Sequence, residues 1–208
     1  MNCPVCASDT AIFARIKART YYLCNTCKAV CLDRNNYLTA EAEKQRYLEH
    51  NNDVDDPGYQ EFVRPIVSFV KENFTPGDLG LDYGCGPGPV ISKLLGDDGY
   101  KLNLYDPFFN PDSECLESHY SYIVCCEVME HFHQPKEAFQ RLGELLKPGG
   151  VLICMTDLFG PQIDFDRWYY KNDPTHVVFY QTNSLAYIQK NCGFSKLRVD
   201  QRRIVFTK

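Results

Sequence analysis

The chain of 208 residues has room for one medium domain, or for a small domain joined to a medium one. Its composition, 44% hydrophobic and 24% charged, is that of a folded globular protein, and no stretch approaches the roughly 20 apolar residues of a membrane span. A net charge of −5 without a basic stripe argues against a nucleic-acid partner, and the first residues lack the basic and apolar regions of a secretory leader. The expectation is a cytoplasmic protein whose 11 cysteines are reduced thiols and metal ligands rather than disulfides.

The first elements are set by cysteines. Cys3-Pro-Val-Cys6 and Cys24-Asn-Thr-Cys27 are two Cys-x2-Cys pairs with 17 residues between them. That spacing fits a four-thiolate site, zinc being favoured over a rubredoxin-like iron, because each pair wraps a tight turn around one ion and two turns close a tetrahedron. Residues 11–16 and 20–23 read as two short strands between the pairs. About 30 residues cannot bury a self-sufficient core, so a bound ion is what would fold this piece. Four protein ligands leave no open position, which makes the site structural. Ala7 and Lys28, the residues after each pair, are not the glycine often found at such knuckles. The ribbon-like module covers residues 1–36 and the larger domain residues 37–208.

Thr39 caps a helix with an acidic first turn that runs to about His50. Residues 51–58 form a polar, acidic linker. Phe62, Val63, Ile66, Val67 and Val70 recur at helical spacing, with Pro65 predicting a kink or a late start. A strand over residues 79–83 meets a glycine turn, and a helix follows from Val90 to Leu95. Lys101–Tyr105 is the next strand, ending at Asp106, and residues 122–127 are another. Pro135 opens a helix with Ala138, Leu142, Leu145 and Leu146 on one face until Lys147-Pro-Gly-Gly150 stops it. Residues 151–155 read as a strand, 184–191 as a helix closed by Gly193, and 194–199 with 203–207 as a hairpin. Alternating strands and helices followed by a hairpin indicate an open α/β sheet, parallel except at its end.

The glycine turn carries the chemistry. Asp82-Tyr83-Gly84-Cys85-Gly86-Pro87-Gly88 places glycines where positive φ and a close approach of backbone to ligand are possible. It fails the dinucleotide fingerprint, because Pro89 stands where the last glycine should be. It resembles the first motif of the class I S-adenosylmethionine-dependent methyltransferases. The resemblance covers most of residues 60–208: Asp106 matches the acid that holds ribose hydroxyls, Tyr122–His131 (YIVCCEVMEH) is similar to the fourth-strand motif of quinone- and sugar-type methyltransferases, and LKPGGV from Leu146 is similar to the turn before the fifth strand. It implies a Rossmann-like class I fold. It further implies S-adenosylmethionine held by Asp82, Tyr83, Gly84, Cys85, Gly86 and Gly88, by Asp106 and Pro107, and by Glu127. Only 15 residues separate Asp106 from Tyr122. The family's third strand is therefore either shrunken around Leu116 or absent, with Asp112, Glu114 and Cys115 as candidates for reading the adenine.

Methyl transfer is an in-line displacement that depends on positioning, and a base is needed when the acceptor is a hydroxyl, an activated carbon or a protonated amine. Two clusters compete for that role. Glu127-Val-Met-Glu130-His131 stands at the mouth of a strand; in quinone-type relatives a similar pattern is associated with a divalent metal, and the alternative is that it lines and braces the cofactor pocket. His176 lies among Trp168, Tyr169, Tyr170 and Tyr180. It is the preferred general base, with Glu130 and His131 in reserve, and residues 160–180 are expected to form a lid over the acceptor. The expected activity is methyl transfer to oxygen, carbon or nitrogen of a small or carrier-linked acceptor. The alternatives are an RNA or protein substrate docked by the ribbon, and a non-catalytic binding protein on the same fold.

Overall fold

In the computed structural model, which describes residues 1–50 and 52–208, β1 (Thr10–Ile16), β2 (Arg19–Cys24) and β3 (Val30–Leu32) form an antiparallel ribbon. The third strand has no counterpart in the sequence reading. Helix α1 (Ala40–Leu48) starts where expected, with the Thr39 hydroxyl accepting the Ala42 N–H at 3.3 Å. Helix α2 (Pro57–Asn73) starts earlier than Pro65 suggested: Asp56 caps it by accepting the Tyr59 N–H, and Pro57 occupies a first-turn position that needs no N–H. The helix continues through Pro65. The linker is correspondingly shorter than 51–58; Asn51 lies outside the described residues.

The larger domain continues with β4 (Leu79–Tyr83), α3 (Val90–Asp97), β5 (Lys101–Tyr105), β6 (Tyr120–Cys126), α4 (Pro135–Leu145), β7 (Leu146–Met155), β8 (Val178–Phe179), α5 (Thr182–Asn191), β9 (Lys196–Asp200) and β10 (Arg203–Thr207). Six of these strands form one sheet in the order β5-β4-β6-β7-β10-β9. The first four are mutually parallel, and β10 runs antiparallel to both its neighbours. Between Asp106 and β6 the chain forms a short 3-10 turn, Ser113–Glu117, so the third strand is absent and β5 is left at the edge. The glycine-containing turn before Val151 is absorbed into β7, which pairs Leu146 with Tyr120 and slips register before Val151 meets Tyr122.

Strand periodicity sorts the core. Tyr122, Val124, Ile153 and Val205 face α2 and α3, where they meet Val63, Ile66 and Leu95. Ile123, Cys125, Leu152, Cys154, Ile204 and Phe206 belong to the opposite layer with Phe139, Leu142, Leu185 and Ile188 of α4 and α5. This is a sheet covered on both faces, as a parallel sheet requires.

The ribbon does not stand apart. β8, a piece of the larger domain, pairs with β3 (Val30 with Phe179, Cys31 with Val178) and completes a second sheet ordered β1-β2-β3-β8. Tyr21, Val30 and Leu32 are buried in the same core layer as Phe139 and Leu185. Among the described residues no helix is long and apolar enough to cross a membrane.

Candidate active site

Parallel pairing sets Asp82 and Tyr83 of β4 beside Leu104 and Tyr105 of β5, so the turns after both strands meet at one end of the sheet. Gly84 and Gly86 take φ of 77° and 62°, and the N–H groups of Gly84 and Cys85 donate to the Tyr105 carbonyl at 2.7 and 3.2 Å. Among the described residues nothing lies within 4 Å of a Cβ built on Gly86, so none of them covers the backbone there. Asp106 is buried; one carboxylate oxygen accepts the Gly86 N–H at 3.0 Å and the other accepts those of Phe108 and Phe109 at 2.8 and 3.0 Å. Asp82 is buried too and accepts the Ser92 hydroxyl at 2.8 Å, while burial pushes its carboxyl up to about 6. Bare backbone beside a fixed acid at the strand ends suits a polar cofactor.

The other loop residues also pack within the fold. The Tyr83 ring packs on Tyr105 and Phe132, with centroids 5.1 and 6.2 Å away. Cys85 is buried, which pushes its thiol up to about 12. A Cβ on Gly88 would run into the Asn52 carbonyl, so the linker needs a glycine there. Pro107 is exposed in the turn closed by the Asp106–Asn110 bridge. Asp112 is spent on the Glu114 N–H at 2.9 Å, and the Cys115 thiol on the Asp112 carbonyl at 2.8 Å. An open groove of about 790 Å³ lined by Gly88, Ser92, Leu102 and Leu104 runs beside the loop along the edge strand.

On the far side of β6 the carboxylates gather. Glu127 follows the strand at φ 52°, its N–H held by the Met155 carbonyl at 2.8 Å. Glu127 Oε1 lies 2.8 Å from Arg202 Nη2, and Oε2 accepts the Tyr170 hydroxyl at 3.2 Å. The same hydroxyl stands 2.5 Å from Glu130 Oε1 and 2.8 Å from Thr156 Oγ1. Asp157, just past β7, pairs with Arg202 Nε at 2.9 Å and accepts the Tyr169 hydroxyl. Burial pushes Glu127 up to about 8, reinforced by Glu130 and opposed by Arg202. Burial likewise pushes Glu130 up to about 7 against the Tyr170 hydrogen bond. Glu130 is fully buried, whereas the Glu127 side chain is 27% exposed. Two carboxyls joined through one phenol can therefore hold and release a proton near neutrality.

Two imidazoles border this network, their ring centroids 4.8 Å apart. His131 Nδ1 donates to the Thr175 carbonyl at 3.0 Å and His176 Nδ1 to the Tyr170 carbonyl at 2.7 Å. A carbonyl only accepts, so both rings carry hydrogen on Nδ1 and keep an Nε2 lone pair free. Burial holds both imidazoles below their usual range, His176 at about 3 with His131 adding to the effect. Glu130, His131 and His176 offer ligand atoms within 4.8 Å of one another, and among the described residues Glu130 Oε2 is buried without a hydrogen-bond partner. Two imidazoles and a carboxylate are a donor set for a borderline divalent cation. Glu127 is not in this group, because Arg202 draws it off.

The second half of the expected lid is a wall: Trp168, Tyr170, Thr175 and His176 are all buried. Residues 161, 162, 164, 166 and 167 of its first half are exposed, as is Tyr169, at 63%. Thr156, Asp157 and Arg202 are the site residues that sequence reasoning missed, and Tyr170 was placed there only as an aromatic neighbour of His176. Asp157 carried a usable signal, an acid at the end of a strand like Asp82 and Asp106. Arg202 carried none, since it belongs to the turn between β9 and β10 and reaches the site only through sheet order.

The four ribbon sulfurs lie within 4.8 Å of one another, with Cys3–Cys27 at 3.6 Å and Cys6–Cys24 at 3.3 Å. Thiolates on a tetrahedral zinc at about 2.3 Å stand about 3.8 Å apart, so the cluster fits the ion. The N–H groups of Thr26 and Cys27 point to Cys24 Sγ at 3.4 Å, and Ala7 and Lys28 take φ of 61° and 62°. The knuckle turns form without glycine.

A family model described as a methyltransferase domain matches residues 56–199. The ubiquinone biosynthesis O-methyltransferase of Yersinia pestis (strain Pestoides F) is 29% identical over 77 residues, 37% of this chain and 32% of that protein. The match to such curated relatives thus spans about a third of their length. Among solved structures, a Burkholderia thailandensis 1,6-didemethyltoxoflavin-N1-methyltransferase with bound S-adenosylhomocysteine superposes with a TM-score of 0.55 at 13% identity, over 96% of this chain and 98% of that one. A SAM-dependent methyltransferase from Archaeoglobus fulgidus gives 0.55 at 16% identity, over 72% and 94%. At these identities the superpositions establish the fold. The family match begins after the cysteine ribbon.

Proposed function

The chain belongs to the methyltransferase-domain family and has its class I fold, and on that premise we propose that it binds S-adenosylmethionine on the Gly84–Gly86 turn and Asp106. Bound there, the cofactor supplies an electrophilic methyl group; binding, orientation and proton handling fall to the chain. The observation that carries this reading is Asp106, locked by three N–H groups beside a Gly86 whose backbone none of the described residues covers. Calorimetry with S-adenosylmethionine and S-adenosylhomocysteine tests it. A dissociation constant in the micromolar range, roughly −8 kcal/mol, is expected, and absence of binding would favour the non-catalytic alternative.

The acceptor is a small or carrier-linked molecule methylated on oxygen, carbon or nitrogen. It meets the chain at Glu127, the accessible member of the Glu127–Tyr170–Glu130 network. The burial of His176, its Nδ1 bond to Tyr170 and its depressed proton affinity favour Glu127, relayed to Glu130, over His176 as the base. An RNA acceptor is disfavoured by the net charge of −5. The four ribbon thiols hold one structural zinc, which with the unpaired cysteines agrees with a reducing, cytoplasmic compartment.

A second reading is favoured by one observation, the clustering of a Glu130 carboxylate oxygen with ligand nitrogens of His131 and His176 within 4.8 Å of one another. A divalent cation there would bind a chelating acceptor. Titrating cobalt(II) into zinc-loaded protein tests it: a visible spectrum lost in Glu130→Gln supports the metal, and an unchanged spectrum removes it.

A further inference from the structure

We infer that the cysteine ribbon is a working part of the acceptor site: metal held by Cys3, Cys6, Cys24 and Cys27 sets the position of His176 and Glu130 while leaving the cofactor turn independent. The inference rests on the reading of this wall as the acceptor side.

The connection is covalent and hydrogen-bonded at every step. The Val177 N–H donates to the Glu130 carbonyl at 2.9 Å, and the Val177 carbonyl accepts the Leu32 N–H at 2.9 Å. One residue, Val177, thus joins the ribbon's third strand to the backbone of Glu130, directly beside His176. The β3–β8 pairing continues this grip, Arg19 Nη1 reaches the Lys171 carbonyl at 3.3 Å, and Gln181 Nε2 reaches the Lys28 carbonyl at 2.6 Å. Aromatic rings fill the seam. Phe13 and Tyr21 contact Phe165 at 5.2 and 5.0 Å, Trp168 contacts Tyr170 at 5.3 Å, and Tyr170 packs at a tilt against His176 at 4.2 Å.

The metal site governs this seam because Cys24 and Cys27 bracket the turn that launches β3, where the Cys24 N–H is held by the Ala29 carbonyl at 2.9 Å. A three-residue strand has too few bonds to keep its register alone. Without the ion the turn opens, Leu32 releases Val177, and the wall behind His176 and Glu130 loosens. The cofactor turn has no such dependence. The hydrogen-bond partners of Asp82 and Asp106 are Ser92, Gly86, Phe108 and Phe109, none of them in the ribbon.

Trp168 is the chain's single tryptophan and sits inside the seam, 8% exposed, so its fluorescence reports the wall without any knowledge of the acceptor. The full-length protein is compared zinc-loaded, stripped with a chelator and reloaded, following Trp168 emission, amide exchange at residues 177–180 and S-adenosylhomocysteine affinity. Expected on stripping are a red shift of emission and amide exchange faster by about tenfold or more, both reversed by zinc, with cofactor affinity changed less than about threefold. The double variant Phe13→Ala/Arg19→Met, which retains all four cysteines, should reproduce the red shift at full zinc occupancy. Unchanged emission and exchange in the stripped protein overturn the coupling, and equal loss of cofactor binding overturns its selectivity. A zinc-loaded protein that binds no S-adenosylhomocysteine refutes the methyl-transfer reading instead, with the fluorescence arm still deciding the coupling.

Discussion

The imidazole of His176 gives its Nδ1 hydrogen to the Tyr170 carbonyl at 2.7 Å, and the Tyr170 ring lies over it at 4.2 Å. A ring held in this way, with its proton affinity lowered to about 3 by burial, is neutral throughout the physiological range. His176→Ala should leave the buried Tyr170 carbonyl without a donor, at a cost of about 1–3 kcal/mol. Thermal unfolding should fall by several degrees while turnover of the folded protein changes less than about threefold. A turnover loss of about 10²-fold or more at unchanged stability would restore His176 as the base.

Glu127 and Glu130 should set the pH dependence. Both carboxyls are raised, to about 8 and about 7, so the deprotonated base accumulates as pH rises through that window and the rate should rise with it. Glu127→Gln should abolish this limb of the pH–rate profile with cofactor affinity unchanged. The stability sign runs the other way: the folded state binds these protons more tightly than the unfolded chain, so stability is greatest below about pH 4.3 for this term and declines as pH rises through 7 to 8. Denaturant midpoints across pH 5 to 8 for wild type and Glu130→Gln check it; the variant should lose the decline attributable to Glu130.

Asp106→Ala should weaken S-adenosylmethionine by about tenfold or more, since a charged acceptor is lost and three N–H groups are freed to loosen the turn. Asp106→Asn keeps a carbonyl oxygen and should fall between. Gly86→Val should abolish binding by forcing a β-branched residue into φ 62° and filling the open space beside it. Unchanged calorimetric affinity in Asp106→Ala would show that the cofactor contact is misassigned.

Elemental analysis should find one zinc per chain, reduced to a trace in Cys24→Ser. Because Tyr21, Val30 and Leu32 share a core layer with Phe139 and Leu185, the variant should also lower the melting temperature of the whole protein rather than melt residues 1–30 alone. A separate low-temperature transition followed by an unshifted main one would contradict this.

Local patterns in the chain were enough for the sheet-and-helix alternation, the Thr39 cap, the cysteine spacing and the Asp82–Gly86 turn with Asp106, because each depends on residues a few positions apart. Periodicity, capping and positive-φ glycines are properties of short segments, and Asp106 needed only the end of one strand. The sequence by itself therefore determined the fold class, the glycine turn beside Asp106 and the pairing of the cysteines that cluster in the ribbon. Only the tertiary structure decided that the third strand is missing, that β8 completes the ribbon sheet, and that Arg202 reaches Glu127 across a boundary of about 75 residues. Those outcomes rest on register and on which groups lose water together. The same step that buried His176 and left Glu127 partly exposed shifted the two groups in opposite directions, since burial raises a carboxyl and depresses an imidazole and no local sequence signal carries that information.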